Sequence, residues 1–407
     1  MPATSIVFPE SQEWVGIARE LIAGTGVSPV VSIPADKMEP DEKPVWLEDK
    51  GLRGQMTTEF GLIQGTESAD FSLNGPVYID TIGHLLFNIF GDYSATGSSP
   101  THATTFTAPL ALGATSGTLT TSTGYAIGSI CQIDTAPIAE VVVLTGLAGA
   151  NATWANNPCR FAHTGTPAVS IVAAPFTHTF ALLNSGYGQP VTHTLTFHQG
   201  ISATYFARQY AYFCASEIAF TANATGLFSH TTKGMSFLGA IPSVAPVNTF
   251  DTALAQAAWE TKIGIGGPAA GGTLISDVEE SGITLTRTAK PIWTAANQQA
   301  PFIIARNELN VGGSFKELAQ SEQPMLNMLN NVQPQIQIII SNGLTGASLL
   351  SATFNLQQAA YDTAKLSSNG VIEYDVSFKA IANSTNVGGS AGLGPATVIL
   401  QNATPTY

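Results

Sequence analysis

A chain of 407 residues is long enough for two or three domains, each with its own core. Charged residues make up 11% of it, against a usual share of about a quarter, so much of its surface is expected to be covered by neighbouring copies. The net charge of -13 excludes nucleic acid as a tightly held ligand, because phosphate binding needs clustered Lys and Arg.

The first residues, MPATSIVFPESQEW, show neither a basic n-region nor an apolar h-region, so no secretion signal is expected. No apolar run approaches the ~20 residues of a spanning helix, and no membrane anchor is expected. Glu39 to Lys50 mixes both signs of charge and reads as a solvated loop. From Ile79, apolar residues recur at Ile82, Leu85, Leu86, Ile89 and Phe90, a helical spacing entered after Pro76 and stopped by Gly91. His102 to Val172 is rich in Thr, Ala and Gly with its own turn signals, and reads as a small inserted β module.

Beyond it, Val191 to Phe197, Glu217 to Thr221, Ile283 to Thr286, Gln335 to Ile339 and Val371 to Phe378 alternate apolar and polar residues, the period of half-buried strands. A second helix is expected from about Ser321 through Met325, Leu326, Met328 and Leu329, ending before Pro334. Both helices are short and one-sided, so each should bury its stripe against a sheet. The fold class is therefore α+β, mainly β.

The two helices have similar surroundings. FGLIQGTESADFSLNG precedes the first and LNVGGSFKEL the second; VTHTLTFHQG with ATYFARQYAYF follows the first, and QIQIIISNG with LLSATFNLQQAAY the second. This reads as a duplicated β unit interrupted once. The expected layout is a first unit at 1–103 and 173–240, the inserted module at 104–172, and a second unit at 241–407.

A search for chemistry returns little. Gly388 to Gly392 matches G-x-S-x-G, but in a Gly/Ser-rich stretch with no helix behind it. The stretch from Gly264 to Gly272 lacks the Lys-Ser/Thr of a phosphate loop. His193 and His198 should point to opposite faces of one strand, and His178 could meet His193 only through tertiary contact. Cys131, Cys159 and Cys214 form no C-x-x-C pair and read as reduced, buried, apolar residues. Asp277 and Glu279 share a face of a strand, a minimal acid/base or cation-binding arrangement that a solvated turn or charged pore lining explains at lower cost. Tyr205, Phe206, Tyr210, Tyr212 and Phe213 could form a sugar platform, with core packing the default. No cofactor, metal or catalytic residue is expected.

GIARELIAGTGVSP (Gly16 to Pro29), GLRG from Gly51, Gly75-Pro76 ahead of Leu85-Leu86 and Phe90-Gly91, QPVTHTLTF from Gln189 and GGSF from Gly312 occur in an order that resembles the tail tube proteins of long, non-contractile bacteriophage tails, of the kind common among actinobacterial phages. GATS at Gly113, Ile133-Asp134, Glu140-Val141 and RFAHTG at Arg160 resemble a small β module embedded in phage tail proteins, departing from it at Gly128-Ser129, where an Asp often follows the Gly.

The resemblance implies a tube-forming β-sandwich or barrel whose rings stack into a tube, made in the host cytoplasm and carried in the virion. Implied partners are the chain itself, as a trimer with pseudo-sixfold symmetry or a hexamer, the tape measure, tail terminator and distal tail proteins, and double-stranded DNA as passing cargo. Glu59, Glu67, Asp277 and Glu279 are candidate lumen residues. Two other classes compete: a carbohydrate-binding or adhesive β-sandwich, and a hydrolase using Asp277 and Glu279.

Overall fold

The computed structural model describes residues 10–186, 188–199, 207–250, 252–269, 273–295, 298–368 and 370–407. The chain opens with β1 (Glu13–Arg19), β2 (Val31–Ile33), a long hairpin of β3 (Lys37–Asp49) and β4 (Gly61–Pro76), helix α1 (Gly83–Phe90) and β5 (Gly91–Thr105). The module supplies β6 (Ser116–Thr118), β7 (Ile130–Ile133), β8 (Glu140–Val143), β9 (Gly146–Ala148) and β10 (Asn151–Thr153). Then come β11 (Ala168–Leu182), β12 (His193–Gln199), β13 (Ala207–Asn223) and β14 (Ser229–Ser236). The last part holds β15 (Thr261–Ile265), β16 (Leu274–Ile275), a second long hairpin of β17 (Val278–Ile292) and β18 (Ile303–Leu318), helix α2 (Gln323–Leu329), β19 (Ile336–Ser341), β20 (Ser351–Leu356), β21 (Ala359–Ser368), β22 (Ile372–Ala380) and β23 (Thr397–Asn402).

The architecture is α+β, mainly β, in an eleven-stranded and a nine-stranded antiparallel sheet with a three-stranded sheet in the module. Among the described residues no sheet closes into a barrel within the chain. The two large sheets face each other across one apolar core, where Phe220 of β13 meets Phe354 of β20 with ring centroids 5.0 Å apart. Each large sheet draws strands from both halves: β13 joins β17 in one, and β11 joins β23 in the other. The two expected units therefore share both sheets and a single core.

A pairing pattern recurs. In the first half β3 pairs β4, β4 pairs β14 and β14 pairs β13; in the second, β17 pairs β18, β18 pairs β22 and β22 pairs β21. A helix follows each hairpin, and a strand pair follows each helix, β5 with β11 and β19 with β20. This corrects the sequence alignment of the halves, which matched β12 and β13 to β19 and β20. The former lie in the eleven-stranded sheet and the latter in the nine-stranded one. Alternation at period two reports a half-buried strand but not the sheet that owns it.

All eight residues of α1 are buried, with Leu85, Leu86, Ile89 and Phe90 wholly sequestered and Ile82 just ahead of the helix. Gly83 is required because a Cβ there would lie 2.2 Å from the Tyr407 ring. Gly91, at φ 88°, turns the chain from the helix into β5.

The α2 expectation holds for Met325 and Met328, which are half-buried against the core, and fails for its two leucines. Leu326 and Leu329 are 42% and 68% exposed, while Pro324 and Asn327 are buried. The helix turns a different face inward because Asn327 finds polar partners there: its Oδ1 accepts from Gln323 Nε2 at 2.7 Å, and it hydrogen-bonds Tyr361 of β21.

The module has its own core around Phe106, Leu119, Ile133, Val142 and Trp154. Its two ends leave together, as Thr105 pairs Ala168 and Thr104 pairs Val169 where β5 and β11 run side by side.

Candidate assembly surface and buried polar clusters

The β3–β4 hairpin runs past the end of its support. β14 pairs β4 from Pro76 to Ala69, and beyond that register β3 is the one strand paired with β4 among the described residues, out to Asp49 opposite Gly61. The segment read as a solvated loop, Glu39 to Lys50, is thus mostly strand. Its charges sit at the surface in pairs such as Lys43 with Asp70 (2.6 Å) and Lys37 with Glu39 (2.6 Å).

Opposite residues share a face, so Leu47 and Ile63 lie on one side of the ribbon and Glu48 and Leu62 on the other. Val45, Trp46, Leu47, Leu62 and Ile63 are all 46–61% exposed, and Leu52 and Met56 in the tip are fully exposed. A bare two-stranded ribbon is marginal in water. Pro40 and Pro44 have no N–H to offer along β3, which discourages strand addition there and leaves the side-chain faces as the contact surface. A second apolar surface follows β14, where Val244, Val247, Phe250, Leu254 and Trp259 are each more than two-thirds exposed.

Of the lumen candidates, Glu59 lies in the first hairpin's tip beside Lys50 (3.9 Å), and Glu67 lies in β4, where its N–H donates to Gln299 O at 3.1 Å. Asp277 and Glu279 sit at the root of the second hairpin. The four do not converge. Asp277 instead meets Glu317, which the sequence reading missed; burial and the Asp277 charge push the Glu317 carboxyl up to about 7.

Two buried arginines of the second hairpin hold the end of α1. Arg287 Nη1 donates to Ile89 O (2.9 Å) and Phe90 O (3.2 Å); Arg306 Nη1 donates to Asn88 O (2.7 Å), and its Nη2 to Pro190 O and Val191 O. They satisfy carbonyls that a helix C-terminus leaves open and oppose its partial negative charge. Burial pulls both guanidinium groups below their usual range, Arg287 to about 10.

A further cluster lies at the base of the module. Glu140, fully buried, accepts from the N–H groups of Arg160 (2.8 Å) and Phe161 (2.9 Å) and faces His163 Nε2 at 3.1 Å. His163 Nδ1 faces Asp134 Oδ2, also at 3.1 Å. Desolvation opposes charge on His163, but Cys159 and the two carboxylates outweigh it and raise the imidazole to about 10.

The remaining candidates among the described residues are engaged in hydrogen bonds and packing within the fold. Ser390 of G-x-S-x-G donates its hydroxyl to Leu182 O, accepts from Asn184 N–H, and has Asp92 bound to its own N–H at 2.7 Å, with no imidazole among these partners. The loop is thus clamped to Asp92 and is not a free linker. His193 Nδ1 meets Asn88 at 2.9 Å, His178 bonds Tyr93, Asn402 and Thr404, and His198 stacks on Trp14. Burial holds His178 near 4 and His193 well below its usual value, so both are neutral.

Tyr210 and Phe213 pack edge-on against Phe71 in the core and Tyr212 packs at a tilt against Phe237; Tyr205 and Phe206 lie outside the described residues. Gly264 lies in β15, with Ala270, Gly271 and Gly272 outside the described residues. Cys131, Cys159 and Cys214 are buried free thiols, and burial pushes Cys131 up to about 12 and Cys214 to about 11. No helix is long and apolar enough to cross a membrane among the described residues. No family model matches the chain, and no curated protein matches it.

Proposed function

We propose that the chain is a structural virion protein that polymerises into stacked rings forming a bacteriophage tail tube, the conduit for genome delivery. The observation that carries this reading is the β3–β4 ribbon, which projects beyond its sheet with apolar residues on both faces. Covering its five half-exposed apolar side chains is worth on the order of 5 kcal/mol per copy. The second apolar stretch, from Val244 to Trp259, and the 11% charge content support the same reading.

The recurring pairing pattern supports a ring of three chains, each giving two similar lobes, over a ring of six. The -13 net charge suits an acidic or neutral lumen through which DNA slides, with Glu59, Glu67, Asp277 and Glu279 as its candidate acids. Tape measure, tail terminator and distal tail proteins would be the remaining partners.

Negative-stain microscopy of the purified chain tests the assembly. Long hollow tubes are expected, and isolated particles at every concentration and ionic strength would overturn it. Symmetry of the tube then decides the ring: threefold density with two similar lobes per chain is expected, and six identical chains would refute the three-chain assignment.

A further inference from the structure

The cluster at the module base holds more than an ion-pair network. Ligand atoms of Glu140, Cys159 and His163 all lie within 4.8 Å of one another, and all three residues are buried. We propose that Glu140, Cys159 and His163 bind a divalent transition metal, zinc by donor chemistry, with Asp134 orienting the imidazole from behind.

Thiolate, imidazole and carboxylate together select zinc over hard cations such as magnesium or calcium. The spacing Cys159-x-x-x-His163 lets one short loop present sulfur and nitrogen together. That loop is fixed at both ligands. Cys159 N–H donates to Ala114 O (2.9 Å) and Gly113 N–H to Cys159 O (2.7 Å); His163 and Leu110 exchange both backbone bonds, at 2.8 and 2.9 Å. Glu140 enters from the start of β8, its position set by the N–H groups of Arg160 and Phe161.

Glu140 Oε1 and His163 Nε2, 3.1 Å apart, are close to the separation of neighbouring ligands around a tetrahedral ion with bonds of about 2.0–2.2 Å. Asp134 Oδ2 on the far imidazole nitrogen, at 3.1 Å, completes the carboxylate–histidine–metal arrangement that fixes the tautomer in zinc sites.

The test is a titration of the full chain, purified free of metal under reducing conditions, with cobalt(II) as the spectroscopic probe and zinc as competitor. One cobalt per chain is expected, with a near-ultraviolet thiolate-to-cobalt band that zinc erases. Cys159→Ser should abolish the band and Cys131→Ala should leave it. Asp134→Asn, which keeps all three ligands, should weaken binding about 10-fold or more. Its fold is checked by near-ultraviolet circular dichroism. Absence of the band in the unaltered chain overturns the proposal, as does a band that survives Cys159→Ser.

Discussion

Replacing Arg306 with methionine tests whether the second half of the chain is welded to the first at the end of α1. Methionine keeps most of the buried stem and removes the guanidinium, which donates to the carbonyls of Asn88, Pro190 and Val191 and reaches Asn88 Oδ1 at 3.2 Å. Arg306 is 4% exposed, so water cannot readily replace those bonds. Three stranded acceptors at about 1–3 kcal/mol each give a gross loss of about 3–9 kcal/mol. Removing a cation from a dry site returns several kcal/mol, leaving a net loss of about 2–4 kcal/mol. Among the described residues no carboxylate pairs with Arg306, so the substitution leaves no anion uncompensated. Urea denaturation followed by far-ultraviolet circular dichroism and tryptophan emission should show a lower midpoint in a single transition, because the halves share both sheets and one core. Arg306→Lys should recover only part of the loss, because one ammonium cannot reproduce the fork. A midpoint shift equivalent to less than about 0.5 kcal/mol, within the range of an ordinary surface substitution, would refute the anchoring role.

Gly83→Ala forces a methyl against the Tyr407 ring, 2.2 Å from its nearest carbon; a stability loss of about 1–3 kcal/mol by thermal melting is expected, and an unchanged melt would show that the C-terminal tail yields. Glu317 has a folded pKa near 7, above its ordinary value of 4.5, so the folded state holds its proton more tightly. Its protonated form favours folding, and that contribution is full below about pH 4.5 and lost as pH rises through 7. Glu317→Gln should therefore stabilise the chain by about 1–2 kcal/mol at pH 8 and by nothing measurable at pH 4; equal effects at both pH values would contradict the assignment. Trp46→Ser with Leu47→Ser should leave the monomer's melting temperature within a degree or two of the parent yet prevent tubes in negative stain, and undiminished tubes would remove the ribbon from the interface. Deleting the module between Thr105 and Ala168, which already pair, and joining the ends with a short Gly/Ser linker should leave folding and tube formation intact; a folded variant without tubes would place the module in the wall.

What the sequence disclosed and what it withheld follow from where each signal resides. Ile79 to Phe90 announced a buried helix because one apolar stripe and a closing glycine are local information, and all of α1 is buried as a result. The α2 stripe was just as visible, but the sheet beneath it offers the polar Tyr361, so Asn327 faces inward and Leu326 and Leu329 remain at the surface. Hydrophobic periodicity assumes an apolar partner and cannot see a polar one. β3 escaped for the opposite reason: a ribbon exposed on both faces has no buried face to impose alternation, and Pro40, Pro44 and seven charged side chains made it resemble a loop.

The polar clusters were the least legible because each joins residues remote in sequence. Arg306 and Asn88 meet only through the junction of β13 with β17, and Asp134, Glu140 and His163 only when the module closes. Ile133-Asp134, Glu140-Val141 and the RFAHTG run had marked those residues as a motif without giving a reason for it. The structure supplies one: every charged or imidazole side chain in those three stretches converges on a single buried point, with Arg160 Nη2 3.4 Å from Glu140. A module core this small needs a fixed centre as well as apolar packing. A buried network in which each charge has a partner supplies that centre while costing little in surface, and its position at the root of β5 and β11 lets the module hold its shape where β7 and β8 extend the nine-stranded sheet.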